Sequence, residues 1–393
     1  MSRRPLLTSL SALALATSTL VAAGAGPAGA AASPTGTAHS SARVCAVAPA
    51  GYAACASRVV TDPAGKPVTS ATTPSGYGPS SIRSAYALTA KSSGGRTVAI
   101  VDAYDDPTAE SDLSVYRAQF GLAACTTANG CFRKVNQSGG STPPRTNGGW
   151  AQEISLDLDM VSATCPDCHI LLVEASSASF ANLGTAVNTA AGLGASAISN
   201  SYGGSDAPAL SAYNHPGIAV TASTGDAGYG VESPASFGTV VAVGGTSLSH
   251  ASTARGWSES AWSGAGSGCS TPNAKPSWQT SATSCSGKAN ADVSAVADPN
   301  TGVAVYDSTA YQGAKGWMVF GGTSVSSPII ASVYALSGNT AGYPASYTWA
   351  HASGLFDVTS GSNGSCPTSV WCKAGAGWDG PTGLGTPNGT TAF

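Results

Sequence analysis

Ser324 has the setting of a nucleophile. It closes the small-residue run Gly321-Gly322-Thr323-Ser324, which follows the apolar stretch 317–320 and leads through Pro328 into 329–336, a run that reads as a buried helix. A serine at a helix start gains from the dipole and from free backbone donors. Pro328 suits a first helical turn, where its missing N–H would have no intrahelical partner. The string Gly-Gly-Thr-Ser recurs at 244–247, but Ser247 runs into Leu248-Ser249-His250 with no helix behind it, so Ser324 is the stronger candidate. A serine hydroxyl is a poor nucleophile until a base takes its proton, and the base decides the chemistry.

A Ser-His-Asp triad needs a histidine. The five in this chain are His39, His169, His215, His250 and His351, and none precedes the Gly-Thr type of turn that a subtilisin-like site would show. Carboxylates fill the gap better. Glu153 and Asp157 lie four apart in 150–160, a good helix, and therefore share a face. Ile154, Leu156, Leu158 and Met160 surround them, so the helix is largely buried. Buried carboxylates are costly unless paired, and two so close split their pKa values. Asp159 sits off that face. Asp226 stands in the Gly-bounded turn Ser223-Thr224-Gly225-Asp226-Ala227-Gly228 after a strand, a place where aspartate is ordinarily a backbone cap.

The elements that must position these groups alternate. Apolar runs of strand length occur at 97–102, 169–173, 197–201, 218–223 and 240–243. Helical patterns occupy 82–88, 112–120, 151–163 and 180–192. Continuous apolar strands alternating with helices predict an α/β protein with a mostly parallel central sheet and helices on both faces. Residues 76–393 read as one domain, preceded by an arm over 31–75 rich in Ala, Ser, Thr, Pro and Gly.

Residues 1–30 read as a signal peptide. Arg3-Arg4 is a basic n-region, also of twin-arginine type, followed by an apolar stretch and Ala28-Gly29-Ala30 as a cleavage site. A membrane anchor fits less well, because the run is short and rich in Ala, Ser and Thr, and no later stretch reaches spanning length. The ten cysteines fall into five near neighbours, 45/55, 125/131, 165/168, 269/285 and 366/372. Five local disulfides in an oxidising medium follow; Cys165 and Cys168 could instead form a redox or zinc half-site. A net charge of −3, with 9% charged residues, offers nothing to nucleic acid or an acidic membrane. It leaves little charge to change as pH falls.

Taken together, these residues resemble the sedolisin family of serine-carboxyl peptidases, which share the subtilisin fold. The likeness runs over most of 76–393. GGTSVSSP resembles the nucleophile motif, which implies that role for Ser324. The spacing of Glu153 and Asp157 resembles the family's acidic helix, which implies Glu153 as general base and Asp157 as its orienting partner. The turn at Asp226 resembles the family's oxyanion turn. Ser201, Tyr202 and Gly203 resemble its substrate-pairing strand. Residues 356–361 and 374–383 resemble its calcium site, which implies one structural Ca2+ held by the carboxylates of Asp357 and Asp379 and the carbonyls of Val358, Gly375 and Gly377. Gly-rich turns expose carbonyls that suit such a hard cation. The family usually has a long folded pro-region. Here the short arm alone separates signal from domain, so the pro-function is supplied otherwise or folding needs none.

The resemblance implies a secreted, monomeric endopeptidase acting on polypeptides. Only a neutral Asp226 can donate to an oxyanion, and carboxyls titrate near about 4, so activity is expected in acid. Two alternatives stand beside it. One is a subtilisin-type triad that uses Asp102, at the end of the strand 97–102. The other is a calcium-stabilised binding protein that kept the fold without cleaving.

Overall fold

A computed structural model describes residues 1–2, 39–340 and 342–393. Apart from its first two residues, the expected signal peptide lies outside the described residues, as does the start of the arm. From Ser40 the arm forms β1 (Ser40–Arg43), β2 (Ala54–Cys55), β3 (Arg58–Thr61) and β4 (Thr69–Ser70). Helix α1 (Pro79–Ala85) starts on a proline, three residues before the expected 82–88. It stops early because Ala87 takes a left-handed φ of 55°.

The alternating body then follows in chain order. It runs through β5 (Thr97–Ala103), α2 (Ala109–Gln119), β6 (Phe132–Asn136), α3 (Gly148–Thr164), β7 (His169–Ala175), α4 (Phe180–Gly192) and β8 (Ala197–Asn200). Next come β9 (Tyr202–Ser205), β10 (Ala219–Ser223), β11 (Glu232–Ser233), β12 (Val241–His250) and β13 (Trp257–Ala261). Two antiparallel strands, β14 (Gly268–Ala274) and β15 (Gly287–Asn290), precede β16 (Val293–Val296). A hairpin of β17 (Val303–Tyr311) and β18 (Ala314–Gly321) delivers the chain to α5 (Thr323–Ser337).

The central sheet has the order β13-β12-β10-β8-β5-β7-β6, with β16 also on β12. Its pairings are parallel except β12 with β13. Every residue from Val98 to Ala103 is buried, as a strand covered on both faces requires. Helices α3 and α5 pack on one another and on β5, while α4 packs on β5 and β7. The fold is the expected subtilisin-like α/β arrangement.

Two local readings change. The strand expected at 240–243 runs on through Gly244 to Ser247, the middle of β12, where Ser247 pairs with Ser260. Its hydroxyl donates to Asp298 at 2.6 Å. Helix α5 begins at Thr323, a turn earlier than the apolar run suggests, so Pro328 falls in its second turn. A proline there cannot donate to the carbonyl four residues back. That carbonyl is Ser324's, and the Ser201 hydroxyl lies 3.4 Å from it instead.

The sequence of strands reverses direction between β5 and β8, since the chain visits β7 on one side of β5 and returns to β8 on the other. In open α/β sheets the crevice beyond the carboxyl ends at such a reversal is where ligands bind. Asp102, Ser201 and the turn at Asp226 all leave the sheet at that end.

Candidate active site

Ser324 is the second residue of α5 and is fully buried. Gly322 caps the helix with φ 97°, and a methyl on it would sit 2.5 Å from Asp226 Oδ2. Only glycine fits such a backbone at such a distance. Ser324 Oγ donates to the Ser201 carbonyl at 3.2 Å.

Helix α3 supplies the acids. Asn147 caps it, its side chain accepting from Trp150 N at 3.1 Å, and Glu153 and Asp157 follow on one face. Both are fully buried. Burial raises Glu153 to about 8, with the nearby Ser324 and Ser57 hydroxyls pulling the other way, although neither of its oxygens has a hydrogen-bond partner among the described residues. Burial, then the charge of Glu153, drives Asp157 well above the carboxylate range, and Ser201 Oγ donates to both its oxygens at 2.7 and 2.8 Å. Asp102 is a third member. Neither of its oxygens has a hydrogen-bond partner among the described residues. Burial, Asp157 and Glu153 all raise it.

Asp226 approaches from the turn after β10. Its Oδ1 accepts from Thr323 N at 2.8 Å and Thr323 Oγ1 at 3.0 Å. Oδ2 is buried and has no hydrogen-bond partner among the described residues. Burial raises this carboxyl to about 6, although Thr323, Arg58 and Arg43 pull it down. The arrangement can activate a hydroxyl with one carboxylate and, with Asp226 protonated, point an O–H at an oxygen beside Ser324.

The histidines are elsewhere. His169 pairs with Thr97 at the start of β5, while Asp102 pairs with Glu174 near its end. Five residues of strand separate the two ends, about 17 Å. His215 bonds the Ala212 carbonyl, His250 stacks on Trp257, His351 stacks on Tyr347, and His39 is exposed beside Asn300. A triad built on Asp102 therefore has no imidazole.

The residues expected to pair with substrate have divided roles. Tyr202 and Gly203 offer backbone in β9, but the Tyr202 ring is buried inward, donating to Asn200 Oδ1 at 2.7 Å. No local pattern in the chain points to what pairs with that strand. Strand β2 of the arm lies antiparallel on it, Cys55 opposite Tyr202 and Ala54 opposite Gly203. Ala56 N then donates to Ser201 O at 3.1 Å, and Ser324 N donates to Ala56 O at 2.9 Å. A methyl at Gly322 would meet that same Ala56 oxygen at 2.3 Å. Glu232 was also missed. It crowds Gly203 and Gly225, and burial, then Asp226, raises it to about 7. It lines, with Arg43, Ala54 and Gly203, a cavity of about 280 Å³ beside the arm. Glycines at 203 and 225 were visible in the sequence; the carboxylate that needs them was not.

The C-terminal loops bring Asp357 and Asp379 together. Gly377 N donates to Asp357 at 2.9 Å and Gly375 N to Asp379 at 3.2 Å. Burial raises Asp379 to about 7, and Asp357 pushes the same way. Among the described residues no hydrogen bond is accepted by the carbonyls of Val358, Gly375 or Gly377. The two carboxylates and these three carbonyls are an all-oxygen donor set, of the chemistry that fits Ca2+. A second acidic group, Asp106, Asp112 and Asp307, has oxygens within 4.8 Å of one another. The hydroxyls of Thr108, Ser155, Ser308 and Thr309 donate into it.

Five disulfides join the expected neighbours, Cys165–Cys168 among them. Among the described residues no helix is long and apolar enough to cross a membrane.

Comparison with known proteins gives a consistent picture. The model of the subtilase family matches residues 135–371. Kumamolisin of Bacillus sp. (strain MN-32) is 30% identical over 365 residues, covering 80% of this chain and 63% of its own. Sedolisin of Pseudomonas sp. (strain 101) is 33% identical over 177 residues, 40% of this chain and 29% of its own. The chain thus spans less than two thirds of the length of these relatives. In structure it is similar to Pseudomonas sedolisin, a serine-carboxyl proteinase complexed with two molecules of pseudo-iodotyrostatin. The TM-score is 0.65 and the identity 25%, over 80% of this chain and 96% of that one.

Proposed function

Because the chain belongs to the subtilase family, and to the sedolisins among its relatives, we propose that it is a serine-carboxyl endopeptidase that hydrolyses polypeptides in acid, outside the cell. The observation that carries this reading is the meeting of Glu153 and Asp226 at Ser324, with no imidazole among them. Five disulfides favour an oxidising compartment.

In this mechanism Ser324 Oγ attacks the peptide carbonyl and Glu153 takes its proton. Glu153 then protonates the leaving amine, and water hydrolyses the acyl-enzyme by the reverse path. Asp157 orients Glu153 and shares its charge, with Ser201 Oγ fixing Asp157 from behind. The oxyanion receives Ser324 N–H and a proton on Asp226 Oδ2; losing one such donor typically costs about 2.7–4 kcal/mol. Asp226 holds that proton below about 6 and loses it above, so activity falls as pH rises through that value. Glu153 must be ionised, and burial is what raises it. Solvation of Glu153 when substrate and water enter the cleft would lower it towards the ordinary carboxylate range, where an ionised base and a neutral Asp226 can coexist in acid.

Ca2+ would be held by Asp357, Asp379 and the carbonyls of Val358, Gly375 and Gly377. It would neutralise two carboxylates that repel each other and tie two loops together.

The test is hydrolysis of a denatured protein at about pH 4 and about pH 7, with Ser324→Ala beside the wild type. Cleavage in acid that vanishes in the variant is expected. A rate maximum well above neutrality, or an unaffected variant, rejects the assignment.

A further inference from the structure

Three acids outside the catalytic set meet in the fold. Asp106 stands in the loop after β5, Asp112 in the first turn of α2 and Asp307 in β17. They are 0%, 3% and 0% exposed, and an oxygen of each lies within 4.8 Å of one from both others. Charges so closely grouped and so buried need a counter-charge. None of the ion pairs among the described residues reaches these carboxylates. Lys134 spends its donors on Asp105, Glu174 and the backbone oxygen of Asp106.

Hydrogen bonds do not complete the group. The Thr108 hydroxyl lies 3.1 Å from Asp106 Oδ1, 2.6 Å from Asp112 Oδ2 and 2.8 Å from Thr309 Oγ1, which itself lies 3.1 Å from Asp106 Oδ1. Each hydroxyl has a single hydrogen, too few for all of these contacts. Asp307 shows the deficit most plainly. Its Oδ1 accepts from Thr309 N at 2.8 Å, while Oδ2 is buried and has no hydrogen-bond partner among the described residues. Ionised, Oδ2 is an acceptor without a donor; protonated, it is a donor without an acceptor. A buried polar atom of this kind calls for a partner, and a cation is one that a proton cannot replace.

We propose that Asp106, Asp112 and Asp307 hold a second Ca2+, apart from the one at Asp357 and Asp379. Calcium takes its oxygens at about 2.3–2.6 Å, so ligands on opposite sides of one ion stand about 4.6–5.2 Å apart. Oxygens grouped within 4.8 Å can therefore share one, with the Thr108 and Thr309 hydroxyls as neutral ligands beside them. Mg2+ fits less well, because it keeps several waters and so closed a group has little room for them. Ser155, between Glu153 and Asp157 on α3, donates to Asp106 Oδ2 at 3.2 Å, and β17 packs on the same helix. The ion thus pins α2, β17 and the loop after β5 to the helix that carries the acids at Ser324. Asp357 is exposed, so a chelator takes the ion there and leaves the enclosed one until the fold opens.

The experiment counts Ca2+ on the full chain, purified at neutral pH with Ca2+ added, by native mass spectrometry. Two ions per chain are expected, one of them lost in Asp307→Asn and the other in Asp379→Ala. Asparagine keeps the shape of the Asp307 side chain and removes its charge. Without an ion that change relieves repulsion among buried acids, and Tm holds or rises. With the ion, Tm falls as the ligand is lost. The ion that Asp307→Asn keeps at the C-terminal loops reports that the variant is folded, and Asp112→Asn repeats the test from another element. A wild type whose one ion disappears in Asp379→Ala overturns the proposal and leaves the C-terminal site standing. So does a count that neither Asp307→Asn nor Asp112→Asn lowers. A count lowered by Asp307→Asn and unmoved by Asp379→Ala supports the enclosed site and removes the other.

Discussion

The two oxygens of Asp226 do different things. Oδ1 is held by Thr323 N and Oγ1, which fixes the carboxyl plane; Oδ2 has no partner among the described residues, and both it and the Ala56 oxygen crowd the place a methyl on Gly322 would take. In its proposed role the free oxygen must carry a proton, and burial keeps that proton up to about 6. Asp226→Asn separates donation from titration, because an amide nitrogen donates at every pH while its oxygen still accepts from Thr323. The variant is predicted to lose activity at about pH 4, yet to lose the steep fall near about pH 6. The measurement is the pH profile of kcat/KM. An unchanged alkaline limb would remove Asp226 from the oxyanion site. Asp226 stood in the sequence as an ordinary turn residue, and only resemblance lifted it. Its significance lies in Thr323 and Gly322, almost a hundred positions away.

Helix α5 and the C-terminal loops show how elements carry the site. The glycine cap and the proline in the second turn of α5 leave the Ser324 N–H outside the helical ladder, where it donates to the Ala56 carbonyl, while its own carbonyl is met by Ser201 rather than a helical donor. The sequence marked this helix from Ile329 onward, because apolar periodicity is blind to Thr323 through Ser327, which are small, polar and nonetheless buried. The loops around Asp357 and Asp379 have little regular structure of their own. Ligation of the folded state alone stabilises it by about 2.7 kcal/mol at a hundredfold excess over Kd. Adding a chelator should therefore lower Tm by roughly 5 °C. Asp379→Ala should start lower and no longer respond. A wild type indifferent to chelator argues against the ion.

At the scale of the molecule, buried acids outnumber nearby cations among the described residues. Glu153, Glu174 and Asp307 are raised to about 8, Glu232 to about 7 and Asp226 to about 6, burial being the first cause in each. A carboxyl whose folded pKa lies above its unfolded value binds its proton more tightly when folded. Its stabilisation is complete below the unfolded value, near about 4, and is lost as pH rises through the folded one. The protein should be most stable in acid and should lose Tm steadily between about pH 5 and pH 8. Thermal unfolding across that range checks the sign, and a Tm that climbs towards neutrality contradicts it. A low charged fraction fits the same direction, since few groups outside this set change state.

By itself the sequence determined the alternating strands and helices, the five disulfides between near neighbours, and the Glu153–Asp157 pair. Each follows from short-range rules: a repeat of 3.6 residues or a continuous apolar run, a cysteine within reach, two acids one turn apart. The tertiary structure decided what stands against what. It put His169 at the wrong end of β5 to serve Asp102, turned the Tyr202 ring away from the cleft, and ran a polar arm through the site so that Ala56 meets Ser324. No local pattern encodes those meetings. They depend on strands far apart in the chain lying side by side, where a residue's chemistry is set by neighbours that its own segment does not contain.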